Sequence, residues 1–168
     1  KLHIELKKSL PNLLTVIIPR HINRSENIIN DLNKFKLNVV KHSSRKKISK
    51  KTDIYLVDTF GETRDFYNLS NITFLGGSIV NHGGQNPLEA ARLGNYVING
   101  PHIGNFREIY NYLKVNKISY TTSKILKMRD IILSKINKKL PFNKRKKIFD
   151  NGYEILENNV RIIEKYIQ

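Results

Sequence analysis

The sequence has no cysteine, a single methionine (Met128) and no long uninterrupted apolar run. Without cysteine the chain has no disulfide bond and no thiolate metal site. Because no stretch of about 18 apolar residues occurs, we expect no segment to span a membrane. The chain also opens without methionine, so we expect it to be a segment of a longer protein. Its 168 residues, 39% of them hydrophobic, still suffice for one domain with a buried core.

Three widespread nucleotide-binding or catalytic motifs are absent as well. No Gly-x-Gly-x-x-Gly follows the first predicted strand, which excludes the usual dinucleotide-binding loop. No Gly-Lys-Ser/Thr occurs, so the chain has no P-loop. No Gly-x-Ser-x-Gly occurs either, which excludes the nucleophile elbow of α/β-hydrolases.

Acidic residues are scarce, and the basic residues are unevenly distributed. The net charge is +16, but residues 52–113 contain no lysine and hold three arginines against six acidic residues, a net of −3, which leaves +19 for the two flanks. A strong positive charge favours nucleic acid or an anionic membrane surface as a partner. Since the conspicuous motifs lie in the acidic block, we expect no nucleic acid partner. An anionic membrane surface and ordinary solvated lysines both stay open as explanations of the flanks.

Six short apolar runs alternate with helix-like segments. The runs are mostly continuous, which is typical of parallel strands that are buried on both faces. The intervening segments place apolar residues at helical spacing, as Ile28, Leu32 and Phe35 do. The pattern predicts the α/β class, with a Rossmann-like three-layer α/β/α domain and a mostly parallel sheet. The predicted strands cover residues 12–19, 37–43, 53–60, 71–77, 95–100 and 117–122.

From Ser123 onward the sequence predicts two basic helices, interrupted near Leu140 and Pro141. The second covers about residues 143–166 and carries leucine and isoleucine side chains along one face. We therefore predict a Rossmann-like domain at residues 1–122 and a helical C-terminal tail at residues 123–168 that packs on it.

Most of the nine glycines lie in residues 76–104. The pair Gly76–Gly77 ends the fourth predicted strand, and the pair Gly83–Gly84 precedes a predicted helix that opens at Asn86. Ligands of doubly wound sheets bind beyond the carboxyl ends of the strands, and paired glycines let the backbone approach a ligand without Cβ clashes. The free N–H groups of the next helix favour a phosphate or carboxylate. The two pairs therefore predict an anion-binding site rather than tight turns alone.

Two polar side chains of the predicted helix at residues 86–94 have more than one explanation. Asn86 is either an N-cap or a hydrogen-bond donor to a ligand. Glu89 is either a favourable first-turn charge or, because a carboxylate has two acceptor oxygens, the acceptor for both hydroxyls of a ribose. Local chemistry alone leaves these alternatives open.

The central block contains, in this order, the segments IIPRHINR, DTFGE, FLGGSIVNHGGQNPLEAARLG and GPHIGNFREI. They resemble the C-terminal half of the Kdo transferases, which transfer 3-deoxy-D-manno-octulosonic acid (Kdo) from CMP-Kdo to a lipid A precursor in lipopolysaccharide biosynthesis. The resemblance covers residues 13–113 well and the helical tail more loosely. Four ordered motifs are much more specific than one glycine loop.

The resemblance implies one half of a GT-B glycosyltransferase, in which two Rossmann-like domains face a cleft and the C-terminal domain binds the nucleotide-sugar donor. On this basis the chain is the donor-binding part of an inverting transferase, its substrate is CMP-Kdo, and no cofactor or metal is expected. The N-terminal acceptor domain is expected to be absent. The implied partners are CMP-Kdo, the lipid A precursor and an anionic membrane surface. The implied location is the cytoplasmic face of the bacterial inner membrane.

The resemblance implies twelve donor-binding residues: Pro19, Arg20, His21, Gly61, Glu62, Gly76, Gly77, Ser78, Gly83, Gly84, Asn86 and Glu89. Arg20 is expected to pair with the CMP phosphate or the Kdo carboxylate, and His21 to contact the donor or orient its neighbours. Gly61 would let the backbone approach the cytosine, and Glu62 is either a base contact or a first-turn charge. Glu89 takes the ribose role.

Three further features follow from the family's motifs. Gln85 stands where the family usually has histidine; glutamine carries no charge near pH 7, which disfavours a role for protonation at that position, but it can still hydrogen-bond to the donor. His102, Asn105 and Phe106 match an element expected to close the donor pocket. No catalytic residue is expected, because the glutamate proposed as the family's catalytic base belongs to the N-terminal domain.

Three alternatives to a Kdo transferase stay open. One is a GT-B enzyme that uses another nucleotide sugar, although the intact DTFGE segment disfavours it. Another is an inactive fragment. The last is a basic protein that retains the fold and binds nucleic acid or an anionic surface, which the charged flanks would support.

Overall fold

The structure, a computed structural model, describes residues 1–167 and divides the chain into two compact units. The first unit comprises Lys1–Phe66, and the second begins at Tyr67. Each unit contains a three-stranded parallel sheet with helices packed against it. This architecture confirms the predicted α/β class and the parallel strands.

The first unit contains α1 (Leu2–Lys7), β1 (Thr15–Ile17), α2 (Ser25–Asn33), β2 (Val39–Lys41) and β3 (Ile54–Leu56), and α3 (Thr63–Leu69) begins at its end. Both neighbours of β3 run parallel to it, in the order β1-β3-β2. Ile54, Leu56 and the adjoining Val57 are fully buried. The central strand is therefore the most buried of the three, as expected for a strand with both faces covered.

Helix α1 is not predicted by the apolar pattern, and tertiary contacts explain why it forms. The His3 ring nitrogen Nδ1 lies 2.8 Å from the Thr15 hydroxyl. The Lys7 ammonium donates to the Asp53 carboxylate at 2.6 Å, and Leu6 is buried. A six-residue helix is too short to persist alone in water, so these contacts with the ends of β1 and β3 are what stabilise it.

The second unit contains β4 (Ile72–Leu75), α4 (Leu88–Arg92), β5 (Tyr96–Asn99), α5 (Arg107–Val115), β6 (Ser119–Thr121), α6 (Ile125–Lys135) and α7 (Phe142–Ile167). Its sheet has the order β4-β5-β6, with all strands parallel. Every residue of β5 is buried, so the middle strand is again covered on both faces. The core of the unit consists of Leu75, Ala90, Ala91, Tyr96, Val97, Tyr110, Leu113, Ile118, Leu140 and Ile148.

Helices α6 and α7 confirm the predicted helical tail. Leu140, just before α7, and Ile148, in its second turn, belong to the core of the second unit. The beginning of α7 therefore packs on this core. The later apolar side chains of α7 are exposed, Leu156 by 58% and Ile163 by 56%. No helix in the described part of the chain is both long and apolar enough to cross a membrane. The boundary predicted at residue 122 stays a prediction, although segments on both sides of it share one core.

Helix α4 is shorter than the segment 86–94 predicted from the sequence. The Asn86 side-chain oxygen accepts the backbone N–H of Leu88 at 2.9 Å, and Gly94, with a φ of +95°, follows the helix. The next side chain, Asn95, turns inward. It donates to the Tyr67 carbonyl and accepts the Thr73 hydroxyl, both at 2.8 Å. Polar contacts at both ends therefore limit α4 to five residues.

Candidate functional site

The predicted site residues form two groups, one in each unit. Pro19, Arg20, His21, Gly61 and Glu62 belong to the first unit, and the other seven belong to the second. In each unit these residues follow the strands of that unit's own parallel sheet, in which the carboxyl ends of all strands lie at the same edge. This is the edge at which α/β sheets bind ligands.

In the first unit, Asp58 ties the loop after β3 to the loop after β2. Its carboxylate accepts the backbone N–H of Ser43 at 2.9 Å and the Ser43 hydroxyl at 2.6 Å. The Lys41 ammonium lies 3.5 Å away. Burial disfavours the charged carboxylate, but the two Ser43 hydrogen bonds and the Lys41 charge outweigh it, so the pKa of Asp58 is lowered. Asp58 is thus a charged structural link between the two loops.

Glu62 is held in place from two sides. Its Oε2 accepts the Thr59 hydroxyl at 2.6 Å, and its Oε1 lies 3.4 Å from Nε2 of His42. The other ring nitrogen of His42 lies 2.8 Å from the Tyr55 hydroxyl. The rings of Tyr55 and Phe66 pack edge-on against the imidazole. Glu62 is therefore a positioned carboxylate rather than a free first-turn charge.

His42 is a residue that the sequence reasoning missed. It lies in the segment 37–43, which was predicted only as a strand, and its position beside Glu62 depends on the pairing of β2 with β3. A histidine at the end of a predicted strand is the only signal in the sequence. By itself that signal does not indicate which carboxylate the ring will meet.

Arg20 and His21 are exposed at the end of the segment that leaves β1. Within residues 1–167 neither side chain forms a hydrogen bond or an ion pair. Pro19, just before them, is half-buried. The guanidinium of Arg20 is accordingly available to an anionic ligand.

Gly61 and Gly76 both have open space around them. A Cβ at either position would meet no atom within 4 Å. Gly61 has a φ of +99°, which by itself favours glycine. Gly76 has no such backbone requirement, and no neighbouring atom of the protein would clash with a side chain at this position.

Ser78 links the loop after β4 to the loop after β5. Its hydroxyl donates to the Leu75 carbonyl at 2.7 Å and accepts the N–H of Gly100 at 2.8 Å. Its own carbonyl accepts the N–H of His102 at 2.9 Å. Ser78 is completely buried, so its side chain acts inside the protein and organises two loops at the edge of the sheet.

Residues 77–86 form a closed loop that is held by backbone contacts. The N–H of Gly84 donates to the Gly77 carbonyl at 3.1 Å, and the N–H of Asn105 donates to the Gly83 carbonyl at 3.3 Å. Gly77, Gly83 and Gly84 all have φ between +70° and +79°, a region that favours glycine. These three glycines are required by the path of the backbone itself.

Tyr110 supports this loop from the core. Its hydroxyl donates to the Gln85 carbonyl at 2.9 Å. Burial, and then the nearby Tyr67, raise the pKa of Tyr110, so its hydroxyl stays protonated and keeps donating. Helical spacing alone does not show that this tyrosine of α5 would reach the glycine loop.

Asn86 and Glu89 lie at the start of α4. The Asn86 side-chain oxygen is engaged as a cap of α4, which leaves its amide group as a donor. Glu89 is exposed. Burial of Tyr67 raises the pKa of this tyrosine, and the negative charge of Glu89 raises it further. Because α4 has only five residues, its dipole supports anion binding less than the predicted longer helix would.

An open pocket of about 400 Å³ lies in the second unit, beside the loop that follows β5. His102 is one of its lining residues, whereas Asn105 and Phe106 are not. None of the twelve predicted site residues lines it. Within residues 1–167 no group of three or more His, Cys, Asp or Glu side chains is arranged to hold a metal ion. The pocket is lined by Asn81, Pro101, His102, Ile103, Gly104, Arg107 and Asn111.

Comparison with known proteins gives a consistent set of relatives. No protein-family model matches the chain. A 3-deoxy-D-manno-octulosonic acid transferase of Haemophilus influenzae is 32% identical over 99% of this chain. A probable mitochondrial 3-deoxy-D-manno-octulosonic acid transferase of Arabidopsis thaliana is 35% identical over 79% of it. The chain spans only 39% and 31% of the lengths of these two relatives.

A solved structure shows the same similarity in three dimensions. The C-terminal CMP-Kdo binding domain of WaaA from Acinetobacter baumannii matches 79% of this chain with a TM-score of 0.73. The two sequences are 27% identical, and the match covers 69% of the solved chain. The similarity therefore extends over most of both molecules.

Proposed function

Because the chain is homologous to the C-terminal part of the Kdo transferases, we propose that it binds the sugar donor CMP-Kdo for a glycosyltransferase that transfers Kdo to a lipid A precursor. The observation that carries this proposal is the match with the CMP-Kdo binding domain of the Acinetobacter protein, with a TM-score of 0.73 over 79% of this chain. Such a donor presents a phosphate, a carboxylate, a ribose and a cytosine base. The predicted site residues offer a chemical group for each of them.

Arg20 is our assignment for the anionic part of the donor. Its side chain is exposed and has no carboxylate partner within residues 1–167. A guanidinium fork matches either a phosphate or a carboxylate with two parallel hydrogen bonds. Pro19 restricts the backbone that carries Arg20, and His21 stays an assigned donor contact.

The glycines leave room for the donor beyond the strands of each unit. Gly61 in the first unit and Gly76 in the second leave space in which a ligand can lie against the backbone. Gly77, Gly83 and Gly84 have the positive φ angles that close the neighbouring loop. Ser78 acts indirectly, because its hydroxyl is already bonded within the protein and serves to position these loops.

Glu89, Asn86 and Glu62 are assigned to the nucleoside. The exposed carboxylate of Glu89 can accept both hydroxyls of a ribose. The side-chain oxygen of Asn86 accepts the N–H of Leu88, so the NH₂ group of the same side chain can still donate to a ligand. Glu62, held by Thr59 and lying beside His42, offers a fixed acceptor for the amino group of cytosine.

The chain supplies donor binding and charge stabilisation to the proposed reaction. As Kdo leaves CMP, negative charge grows on the phosphate, and we assign its stabilisation to Arg20. No residue of this chain is assigned as the base that deprotonates the acceptor hydroxyl. That group and the acceptor site are assigned to another part of the enzyme. This assignment is supported by the coverage of the Haemophilus relative, because this chain spans only 39% of its length.

The proposed acceptor is a lipid precursor, so we place the enzyme at the cytoplasmic face of the bacterial inner membrane. The net charge of +16 supports this location, because anionic lipid headgroups attract a basic protein. The same charge would also suit a nucleic-acid-binding protein that retains the fold. Binding to DNA without any response to CMP would favour that second candidate.

Calorimetry with CMP tests the proposed function. The 168-residue chain is expected to bind CMP weakly but saturably, and Arg20→Ala to reduce that binding by at least about tenfold, since hydrogen bonds to a charged group contribute roughly 1.5–3 kcal/mol. Arg64→Ala, which removes an exposed arginine of α3, serves as the matched control. Absence of CMP binding by a folded chain would contradict the proposal.

Transfer is tested separately, with CMP-Kdo and a lipid A precursor. We expect no product from this chain alone, because holding both reactants in one site can account for about 7–11 kcal/mol of the barrier. Product should appear when the N-terminal part of a Kdo transferase is added. Product formed by this chain alone would show that it contains the catalytic base.

A further inference from the structure

The part of the second unit that carries the strongest charge is not used by the proposed donor site. Residues 114–147 contain twelve lysines and arginines and a single acidic residue, Asp130. Asp130 is already paired with Arg129 at 2.8 Å. The segment therefore has a large excess of positive charge with almost no compensation in its own sequence.

Tertiary contacts bring part of this charge together into one surface. The Lys144 ammonium at the start of α7 donates to the Lys117 carbonyl at 3.1 Å. The Lys135 ammonium at the end of α6 lies over the rings of Tyr96 and Tyr120, at 4.8 and 5.6 Å from their centroids. We call this region the lysine surface and define it by Lys117, Lys135, Lys144 and Lys147.

The four ammonium groups of the lysine surface are not neutralised by the protein. Within residues 1–167 no carboxylate lies within ion-pair distance of any of them. Burial lowers the pKa of Lys144, and the charges of Lys135, Lys117 and Lys147 lower it further. Asp150 and Glu154, the first acids along α7, lie near Tyr112. Like charges gathered without partners favour an external polyanion.

Two exposed apolar side chains lie beside this charge. Phe142, at the start of α7 and two residues before Lys144, is 76% exposed, and Val115, two residues before Lys117, is 82% exposed. The bond between Lys144 and the Lys117 carbonyl joins the two segments. Lysines that border exposed apolar side chains match a bilayer interface, in which phosphates lie next to acyl chains. Phosphates of nucleic acid would satisfy the lysines but leave the apolar side chains without a partner.

We propose that the lysine surface docks this chain on an anionic lipid bilayer, with the ammonium groups on lipid phosphates and with Phe142 and Val115 inserted between the headgroups. The proposal goes beyond donor binding, since none of these residues is assigned to CMP-Kdo. It names the surface by which the chain meets a membrane. It does not depend on whether the chain binds CMP.

Sedimentation with vesicles of phosphatidylcholine, with and without phosphatidylglycerol, tests the proposal. The chain is expected to bind only the vesicles that contain phosphatidylglycerol. The triple variant Lys117→Gln/Lys135→Gln/Lys147→Gln should bind on the order of 100-fold more weakly, since each lysine near an anionic surface contributes about fivefold. Lys46→Gln/Lys47→Gln/Lys50→Gln, which removes the same charge from an exposed loop of the first unit, should retain most of the binding.

A second pair of variants tests insertion. Phe142→Ser should weaken vesicle binding roughly fivefold, whereas Leu69→Ser, at a residue 83% exposed in α3, should leave it unchanged. Circular dichroism and urea unfolding check that each variant keeps its fold. Equal losses in both triple variants, or no effect of Phe142→Ser, would overturn the proposal. Binding to duplex DNA that is lost in the first triple variant, with no binding to vesicles, would overturn it in favour of a nucleic acid partner.

Discussion

At the scale of single residues, the glycines around β4 and β5 differ in what a side chain would meet. A Cβ at Gly100 would overlap the Ser78 carbonyl and lie 2.7 Å from the backbone nitrogen of Ile79. A Cβ at Gly76 would lie in open space. Gly100 is therefore required for packing two loops against each other, whereas the space beside Gly76 is available to a ligand.

This contrast predicts opposite effects for two alanine substitutions. Gly100→Ala should reduce the free energy of unfolding by roughly 1–3 kcal/mol or more, because backbone atoms must move to admit the methyl group. Gly76→Ala should leave the free energy of unfolding within about 0.5 kcal/mol of the original and weaken CMP binding. Urea unfolding and CMP calorimetry measure the two quantities. Undiminished CMP binding by Gly76→Ala would exclude this glycine from the donor site.

Glu89 provides a second prediction at the same scale. Glu89→Ala should weaken CMP binding by roughly 1.5–3 kcal/mol, because hydrogen bonds to a charged acceptor are lost, and should weaken binding of deoxycytidine monophosphate by less. Glu108→Ala removes an exposed glutamate from the equivalent position in the first turn of α5 and serves as the matched control. An equal loss for the two nucleotides would contradict the ribose assignment.

At the scale of secondary-structure elements, α7 has two halves with different environments. Ile148 is 2% exposed and belongs to the core of the second unit, whereas Leu156, two turns later, is 58% exposed. The helix is thus anchored at its beginning, and its later apolar residues contribute little to the stability of the chain by itself.

Alanine substitutions should reveal this division. Ile148→Ala should reduce the free energy of unfolding by about 2–5 kcal/mol, because it leaves a cavity in the core. Leu156→Ala should change it by less than about 0.5 kcal/mol. Thermal and urea unfolding of the two variants provide the measurement. A large loss from Leu156→Ala would mean that the later part of α7 is buried in solution.

At the scale of the whole molecule, the chain is strongly basic, and two of its acids, Asp53 and Asp58, are used as structural links. Burial disfavours the charged form of Asp53, but the Lys7 ammonium, the Asn38 N–H and His3 outweigh it and lower the pKa of Asp53. Burial lowers the pKa of His3, although the Asp53 charge opposes this. All these groups belong to the first unit.

The stability of the chain is therefore expected to fall on acidification. A lowered histidine pKa means that the unfolded chain binds a proton more readily than the folded one, so the contribution of His3 is lost as the pH drops below about 6.5. The contributions of Asp53 and Asp58 are lost at still lower pH, below about 4. Each group contributes a slope of at most about 1.4 kcal/mol per pH unit.

Urea unfolding between pH 7 and pH 5 measures the contribution of His3. His3→Gln should show a smaller loss of stability over this interval than the unsubstituted chain. The positive charge of the chain also grows as carboxylates are protonated, and self-repulsion adds to the loss at lower pH. Stability that is constant from pH 7 to pH 5 would contradict the lowered pKa of His3.

Patterns in the sequence are enough to predict the class of the fold and the family to which the chain belongs. Continuous apolar runs predicted the parallel strands, since buried strands need apolar residues on both faces. The four ordered motifs predicted the relationship to the Kdo transferases, which the Haemophilus and Acinetobacter relatives confirm. The twelve assigned donor contacts stay predictions, because their roles depend on a ligand.

Which side chains are free to meet a ligand, and which already bond within the protein, is visible only in the folded chain. Ser78 is engaged by the backbone of two loops, and His42 lies beside Glu62 only because β2 pairs with β3. Helix α1 forms through contacts of His3 and Lys7 with distant residues, and the lysine surface joins the turn after α5 to residues of α6 and α7. Such contacts link residues that are far apart in the chain. Apolar periodicity and short motifs depend only on residues that are close together in the sequence, so they do not indicate these contacts.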